Sequence, residues 1–214
     1  MGDTLFPPAI FAIGRWFCRI VLEDFFDFEA FGEEYVPQDG PCIIAANHCS
    51  FLDPPAAVIG AIRNTYSFAR KTLFKEGISG RIFKNLLTIP VDRDGGNDVN
   101  AIRQVLKKLA DGQSVLLFPE GKRSVDGNIE KPMRGVGMIA TRAEVPVVPA
   151  RIFGSFDAWS RHRVRPTPFT HVRTVYGPPM APKDYDPGSA AKDRHAVAAQ
   201  RIMDAICHLQ LPIS

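Results

Sequence analysis

The sequence predicts a single α/β domain, with a mixed, mostly parallel sheet flanked by helices and an N-terminal amphipathic helix suited to a membrane interface. Three observations carry that expectation. Short apolar runs bounded by turn residues alternate with segments of helical period, as strands and helices do in this class. The 214 residues are 45% hydrophobic, which suits one domain with a sizeable core and not a disordered chain. The polar clusters follow strand-like runs, where ligands gather in open α/β sheets.

Residues 5–14 are apolar, and Trp16, Phe17, Ile20, Val21 and Leu22 then alternate with Arg15 and Arg19. Aromatics flanked by arginines predict a helix lying in a lipid interface. The competing expectation is a helix packed on the protein's own core. A signal peptide would need a basic n-region and a small-residue cleavage site, and neither is clear. No run reaches the roughly 18 apolar residues of a spanning helix.

Residues 41–46 (PCIIAA) predict a buried strand. Asp53 precedes Pro54, Pro55 and an apolar series through Ile62, which predicts a helix with Asp53 as N-cap and proline at its first position. His48 then lies in a strand-to-helix turn. Residues 66–69 and 88–91 predict short strands, with helix or loop over 74–87. Ile102, Val105, Leu106 and Leu109 predict a helix over 98–110, stopped near Gly112. Strands are expected at 114–118 and 145–152. Residues 170–176 alternate and are expected at a sheet edge. A closing amphipathic helix is expected over 190–209, on Val197, Ile202, Ala205, Ile206 and Leu209. Residues 124–140 and 155–168 remain as long connections, which often carry function.

The net charge of +3 excludes a strongly basic nucleic-acid binder but permits local basic patches. Arg63, Arg70, Lys71, Lys75, Arg81 and Lys84 form one, opposed only by Glu76. Arg151, Arg161, Arg163, Arg165 and Arg173 form another, opposed by Asp157. Each suits anionic head groups or a solvated face. Cys18, Cys42, Cys49 and Cys207 form no C-x-x-C and no zinc-ligand spacing, so they are expected as reduced thiols of a cytoplasmic compartment, with no metal.

Three clusters bear chemistry: Asn47 to Asp53 (NHCSFLD), Val91-Asp92-Arg93, and Phe118 to Ser124 (FPEGKRS). An imidazole held in one tautomer by a carboxylate can accept a proton on its other nitrogen. His48 with Asp53 five residues on fits that role, though a bond that only ties the turn fits the spacing equally well. Arg93, Lys122 and Arg123 can hold a phosphate through charge-assisted hydrogen bonds. Glu120 could orient those cations, accept a bond from a hydroxyl, or only neutralise Arg123. A P-loop would need Gly at 116 and Ser or Thr at 123, where the chain has Leu116 and Arg123. There is no G-x-S-x-G elbow, and the stretch from Asp92 departs from the calcium-loop pattern at Gly96.

NHCSFLD resembles the N-H-x-S-x-x-D block of the glycerolipid acyltransferases, the family of 1-acylglycerol-3-phosphate acyltransferase and lysophospholipid acyltransferases. FPEGKRS resembles their F-P-E-G-T-R-S block. GEEYVPQDGPCIIAANH, ARKTLFK, IPVDR and VPVVPARI extend the resemblance over roughly residues 28–152. It implies that His48 deprotonates an acceptor hydroxyl and Asp53 holds His48. It implies that Arg93, Glu120, Gly121 and Arg123 bind the acceptor and its phosphate, with Lys122 and Ser124 beside them, and that residues 145–149 shape the acyl-donor side. The donor would be acyl-CoA or an acyl carrier protein thioester, the acceptor lysophosphatidate, and backbone N–H groups would hold the oxyanion. No cofactor, metal or nucleic acid is implied. Residues 1–27 would be a membrane-interface segment and 28–214 the acyltransferase domain, peripheral or monotopic on the cytoplasmic face of a membrane, with membrane lipids as partners. Lys122 stands where the family often has Thr, and Arg134 in Lys131-Pro-Met-Arg-Gly where it often has Lys. These departures bear on the acceptor: glycerol 3-phosphate, another lysophospholipid or a lyso-aminolipid are the alternatives. A lipid-binding module without turnover is the non-enzyme alternative. Cys49 beside His48 raises a covalent thioester route, which direct attack does not need.

Overall fold

A computed structural model describes residues 8–61, 63–70, 87–91 and 99–212. Strand β2 (Cys42–Ala46) is buried along its whole length and is the centre of the sheet. Its parallel neighbours are β5 (Ser114–Leu117), in register Ile44 to Leu116, and β6 (Val147–Phe153), in register Ile44 to Val148. Beyond β5 lie β3 (Thr65–Arg70) and β4 (Thr88–Val91), again parallel. Beyond β6 lie β7 (Arg173–Tyr176), antiparallel to it, and β1 (Glu29–Phe31), parallel to β7. The order is β1-β7-β6-β2-β5-β3-β4. The sheet is thus mixed and mostly parallel, as expected.

Alternation along β2 splits the core. Ile44 and Ala46 face one layer with Leu116, Val148, Ala150, Leu22 and Phe26. Ile43 and Ala45 face the other with Val115, Leu117, Val147, Ile202 and Ile206. Successive side chains of a strand point to opposite faces, so a strand apolar on both must be covered on both. Helices α1 (Pro8–Phe26) and α2 (Asp53–Gly60) cover the first face. Helices α3 (Val99–Ala110), α4 (Arg134–Ala143) and α7 (Arg194–His208) cover the second. Short helices α5 (Ser155–Trp159) and α6 (Pro182–Tyr185) follow β6 and β7.

Three expectations need correction. Residues 124–140 and 155–168 are not all connection, because α5 spans Ser155–Trp159 and α4 begins at Arg134. Its Gly135 and Gly137 lower helical propensity and hide it from a pattern reading. Gly137 is there for packing: a Cβ on it would lie 2.0 Å from His195 O of α7. Residues 173–176 are not the edge, since the three-residue β1 lies outside them. Asp53 is the first helical residue of α2, with Leu52 at the N-cap position, and its carboxylate serves the preceding turn. The expected helix or loop over 74–87 falls, apart from Leu87, outside the described residues.

Helix α1 packs on the core along one side only. Leu22 and Phe26 are buried in the core, whereas Trp16 and Phe17 remain 64% and 62% exposed. No helix among the described residues is long and apolar enough to cross a membrane.

Candidate functional site

Parallel β2 and β5 end on the same edge of the sheet, and their following loops carry the first and third polar clusters. The loops interlock through the backbone. His48 N–H donates to Glu120 Oε1 at 2.7 Å, and Ser124 N–H donates to His48 O at 2.8 Å. The His48 ring stacks on Phe118 with centroids 4.0 Å apart. Asp92 and Arg93, after β4, lie outside the described residues, so the second cluster is not placed.

His48 Nδ1 is 2.9 Å from Asp53 Oδ2. The same oxygen accepts the N–H groups of Cys49 and Ser50, each at 2.6 Å. The other oxygen, Oδ1, accepts the Ser155 hydroxyl at 2.6 Å. A fully buried carboxylate is costly unless hydrogen bonds replace its water, and four donors do so here. With Nδ1–H donating to Asp53, Nε2 is the nitrogen left to accept a proton.

Ser155 opens α5, 102 positions from Asp53, and no sequence motif marked it. It fixes the carboxylate that fixes the imidazole. If His48 acts as a general base, Ser155→Ala is expected to lower kcat by roughly tenfold, in line with loss of one hydrogen bond to a charged group, with substrate KM little changed. Ser155→Thr should recover part of that loss. Steady-state kinetics on the three proteins is the check, and a change confined to KM would remove the positioning role.

Cys49 is poorly suited to a covalent route. Burial, and then the Asp53 charge, push its thiol up to about 12, so it holds little of the thiolate that nucleophilic attack requires. All four cysteines are free.

The loop after β5 places its residues in different settings. Glu120 is only 2% exposed and holds His48 N–H with one oxygen and Glu130 N–H, at 3.1 Å, with the other. Ser124 is buried, donating to Asp126 and accepting from Gly127 N–H. Gly121 is left-handed with φ +69, and a Cβ there would lie 2.3 Å from Met133 Sδ. Exposed Lys122 pairs with Glu130 at 3.0 Å. The Arg123 guanidinium lies 3.6 Å from the centroid of the Phe51 ring, a cation–π contact that seats it beside the His48 turn. The N–H groups of Cys49, Ser50, Gly121 and Ser124 are all bonded inside the protein, so an oxyanion would need other donors. Residues 145–149 run into the start of β6, where Val145, Val147 and Val148 are buried.

Burial pushes Glu120 up to about 7, against its backbone hydrogen bonds, which favour the charged form. A carboxyl raised on folding takes up protons in the native state, so its stabilisation is fully present at acid pH and is lost as pH rises through about 7. Thermal midpoints of the wild type and Glu120→Gln between pH 5 and 8 should show this. The wild type is expected to lose ground to the variant as pH rises, and parallel curves would refute the buried, titrating carboxyl.

Other arginines are committed to the scaffold. Arg63 donates to Gly40 O, Arg151 to Cys207 O and Leu209 O, and Arg173 pairs with Glu29. Lys71, Lys75, Arg81 and Lys84 of the first basic patch lie outside the described residues.

Residues 27–153 match the family model described as Acyltransferase. A chloroplastic 1-acyl-sn-glycerol-3-phosphate acyltransferase of Brassica napus is 31% identical over 146 residues, 67% of this chain and 42% of the relative. An N-acylphosphatidylethanolamine synthase of Arabidopsis thaliana is 29% identical over 166 residues, 67% of this chain and 57% of the relative. The chain thus spans less than half the length of the Brassica protein. The crystal structure of the 1-acyl-sn-glycerophosphate (LPA) acyltransferase PlsC from Thermotoga maritima superposes with a TM-score of 0.71 at 25% identity, covering 94% of this chain and 82% of that one.

Proposed function

The chain belongs to the Acyltransferase family, and from that premise we propose that it moves a fatty acyl group from acyl-CoA or acyl carrier protein to the free hydroxyl of lysophosphatidate, giving phosphatidate. One observation carries this reading: a buried His48–Asp53 pair, 2.9 Å apart, in a turn locked to the loop that bears Arg123. The acceptor O–H gives its proton to His48 Nε2 as its oxygen attacks the thioester carbonyl. Asp53 stabilises the resulting imidazolium. The C–S bond then breaks, and the imidazolium returns its proton to the departing sulfur. Neither a metal nor a cofactor has a role in these steps.

Arg123, with Arg93, takes the acceptor phosphate, because a guanidinium fork grips two oxygens of a phosphate monoester. Gly121 lets the loop take its left-handed turn against Met133, and Lys122 adds charge at the rim. Glu120 and Ser124 act from inside, holding the loop against the His48 turn. The reading places the protein on the cytoplasmic face of a membrane, with α1 in the interface. A second reading takes an amine-bearing lipid as acceptor, favoured by the relative named as an N-acylphosphatidylethanolamine synthase.

Arg123→Ala tests the acceptor. It is expected to raise the KM for lysophosphatidate by about tenfold or more, the worth of a charge-assisted pair, and to leave the donor KM near wild type. Arg123→Lys should restore only part of the loss. Assays with lysophosphatidate, lysophosphatidylcholine and an ethanolamine lipid, each with both donors, separate the readings. A wild-type preference for the choline or ethanolamine lipid, or an equal loss on every acceptor, would overturn the phosphate clamp.

A further inference from the structure

Residues 161–169 (RHRVRPTPF) form the longest unbroken run of exposed positions among the described residues. Val164 is 92% exposed and Phe169 77%. Arg161, Arg163 and Arg165 flank Val164 with no acidic residue between them. Among the described residues, no carboxylate makes an ion pair with any of the three.

The segment is held in place. Arg163 donates to Asp157 O at 2.6 Å and to the Thr167 hydroxyl. Trp159 Nε1–H donates to Arg163 O at 3.2 Å, and Thr167 N–H to Ala158 O at 2.7 Å. Pro166 and Pro168 fix two φ angles. A large apolar tip on such a braced loop loses little conformational freedom on burial.

Its neighbours extend the surface in both directions. Phe169 N–H donates to Phe25 O at 2.6 Å, joining the loop to the end of α1, whose Trp16, Phe17 and Phe25 are exposed. His171 pairs with Asp27 at the same junction. On the other side, His162 Nε2–H donates to Val125 O at 3.1 Å, and Val125 is itself exposed. Ser160 bridges to Ser50, and Trp159 lies 5.2 Å from Phe51, under Arg123. An apolar and basic strip therefore runs from α1 along this loop to the rim of the His48 site.

We propose that loop 161–169 is a second lipid-contacting element, which with α1 seats the protein on an anionic leaflet and turns the His48 site toward it. The proposal rests on the interface reading of α1 given above. A leaflet of anionic lipid offers acyl chains to Val164 and Phe169 and phosphates to Arg161 and Arg165 at adjacent depths. An acidic protein would satisfy the arginines, but it would leave the exposed aromatics of α1 unexplained.

The test uses the full chain and vesicles of phosphatidylcholine with or without phosphatidylglycerol. Flotation is compared for the wild type, Val164→Asp/Phe169→Asp, Arg161→Glu/Arg165→Glu and Arg161→Lys/Arg165→Lys. Each of the first two double variants is expected to bind anionic vesicles about tenfold or more weakly, with an unchanged melting curve. The lysine pair should stay near wild type. Hydrogen exchange of 161–169 should slow when vesicles are added. Wild-type flotation by both disruptive variants, or no protection of the loop, would overturn the proposal. So would loss of binding to an acidic acyl carrier protein in Arg161→Glu/Arg165→Glu with flotation intact, which would assign the surface to a protein. Flotation needs no turnover, so a wild type that floats and protects the loop but transfers no acyl group would sink the acyl-transfer reading and leave this one standing.

Discussion

Replacing His48 with alanine is expected to lower kcat by about 10³- to 10⁴-fold while the protein stays folded. The second half of that expectation comes from the hydrogen bonds. Without the imidazole, Asp53 still accepts from Cys49 N–H, Ser50 N–H and the Ser155 hydroxyl, so no buried charge is stranded. The His48 backbone keeps its bonds to Glu120 and Ser124, so the two loops remain locked. The space beside Phe118 is the main structural loss. Turnover of the purified variant with lysophosphatidate and acyl-CoA, together with a thermal melt, measures both parts. Wild-type-like turnover would end the general-base mechanism.

Asp53→Asn is expected to cost nearly as much, about 10³-fold or more in kcat, with a small change in stability. The amide oxygen can take the place of Oδ2 and accept the two backbone N–H groups and His48 Nδ1–H. The amide NH2 then faces Ser155, whose hydroxyl can turn and accept. What disappears is the negative charge that, in the proposed mechanism, stabilises the imidazolium. Asp53→Ala is different, because it leaves the buried N–H groups of Cys49 and Ser50 unpaired, at about 1–3 kcal/mol each. Comparing the two separates chemistry from scaffold. If Asp53→Asn kept more than about a tenth of the rate, where such a carboxylate normally contributes several orders of magnitude, its role would be to shape the turn.

The sites where the sequence misled share a cause. Arg151 and Arg173 looked like part of a basic face, yet one satisfies carbonyls at the end of α7 and the other pairs with Glu29 across the sheet. Glu120 looked like a partner for its neighbouring cations, and both of its oxygens went to backbone N–H groups. Local charge pattern carries no information about a carbonyl or N–H group that arrives from a distant segment. Helix α4 is illegible in the sequence for a related reason: Gly137 lowers its local propensity and is needed because α7 crosses at close range.

The sequence by itself determined what depends on short range. Period and turn residues set most strands and helices, and the mixed, mostly parallel sheet followed from their alternation. His48 and Asp53 were legible because five residues of one turn hold both partners. Only the tertiary structure decided what the pair rests on. Ser155 is 102 positions from Asp53, and Glu120 is 72 from His48. Their hydrogen bonds exist because parallel strands bring the loops after β2 and β5 to one edge, and because α5 follows β6 at the same place. The fold also sorted the arginines, tying some to carbonyls and leaving Arg161 and Arg165 at the surface. Spacing along a chain reports which groups can meet within a turn, whereas strand order and register report which turns can meet.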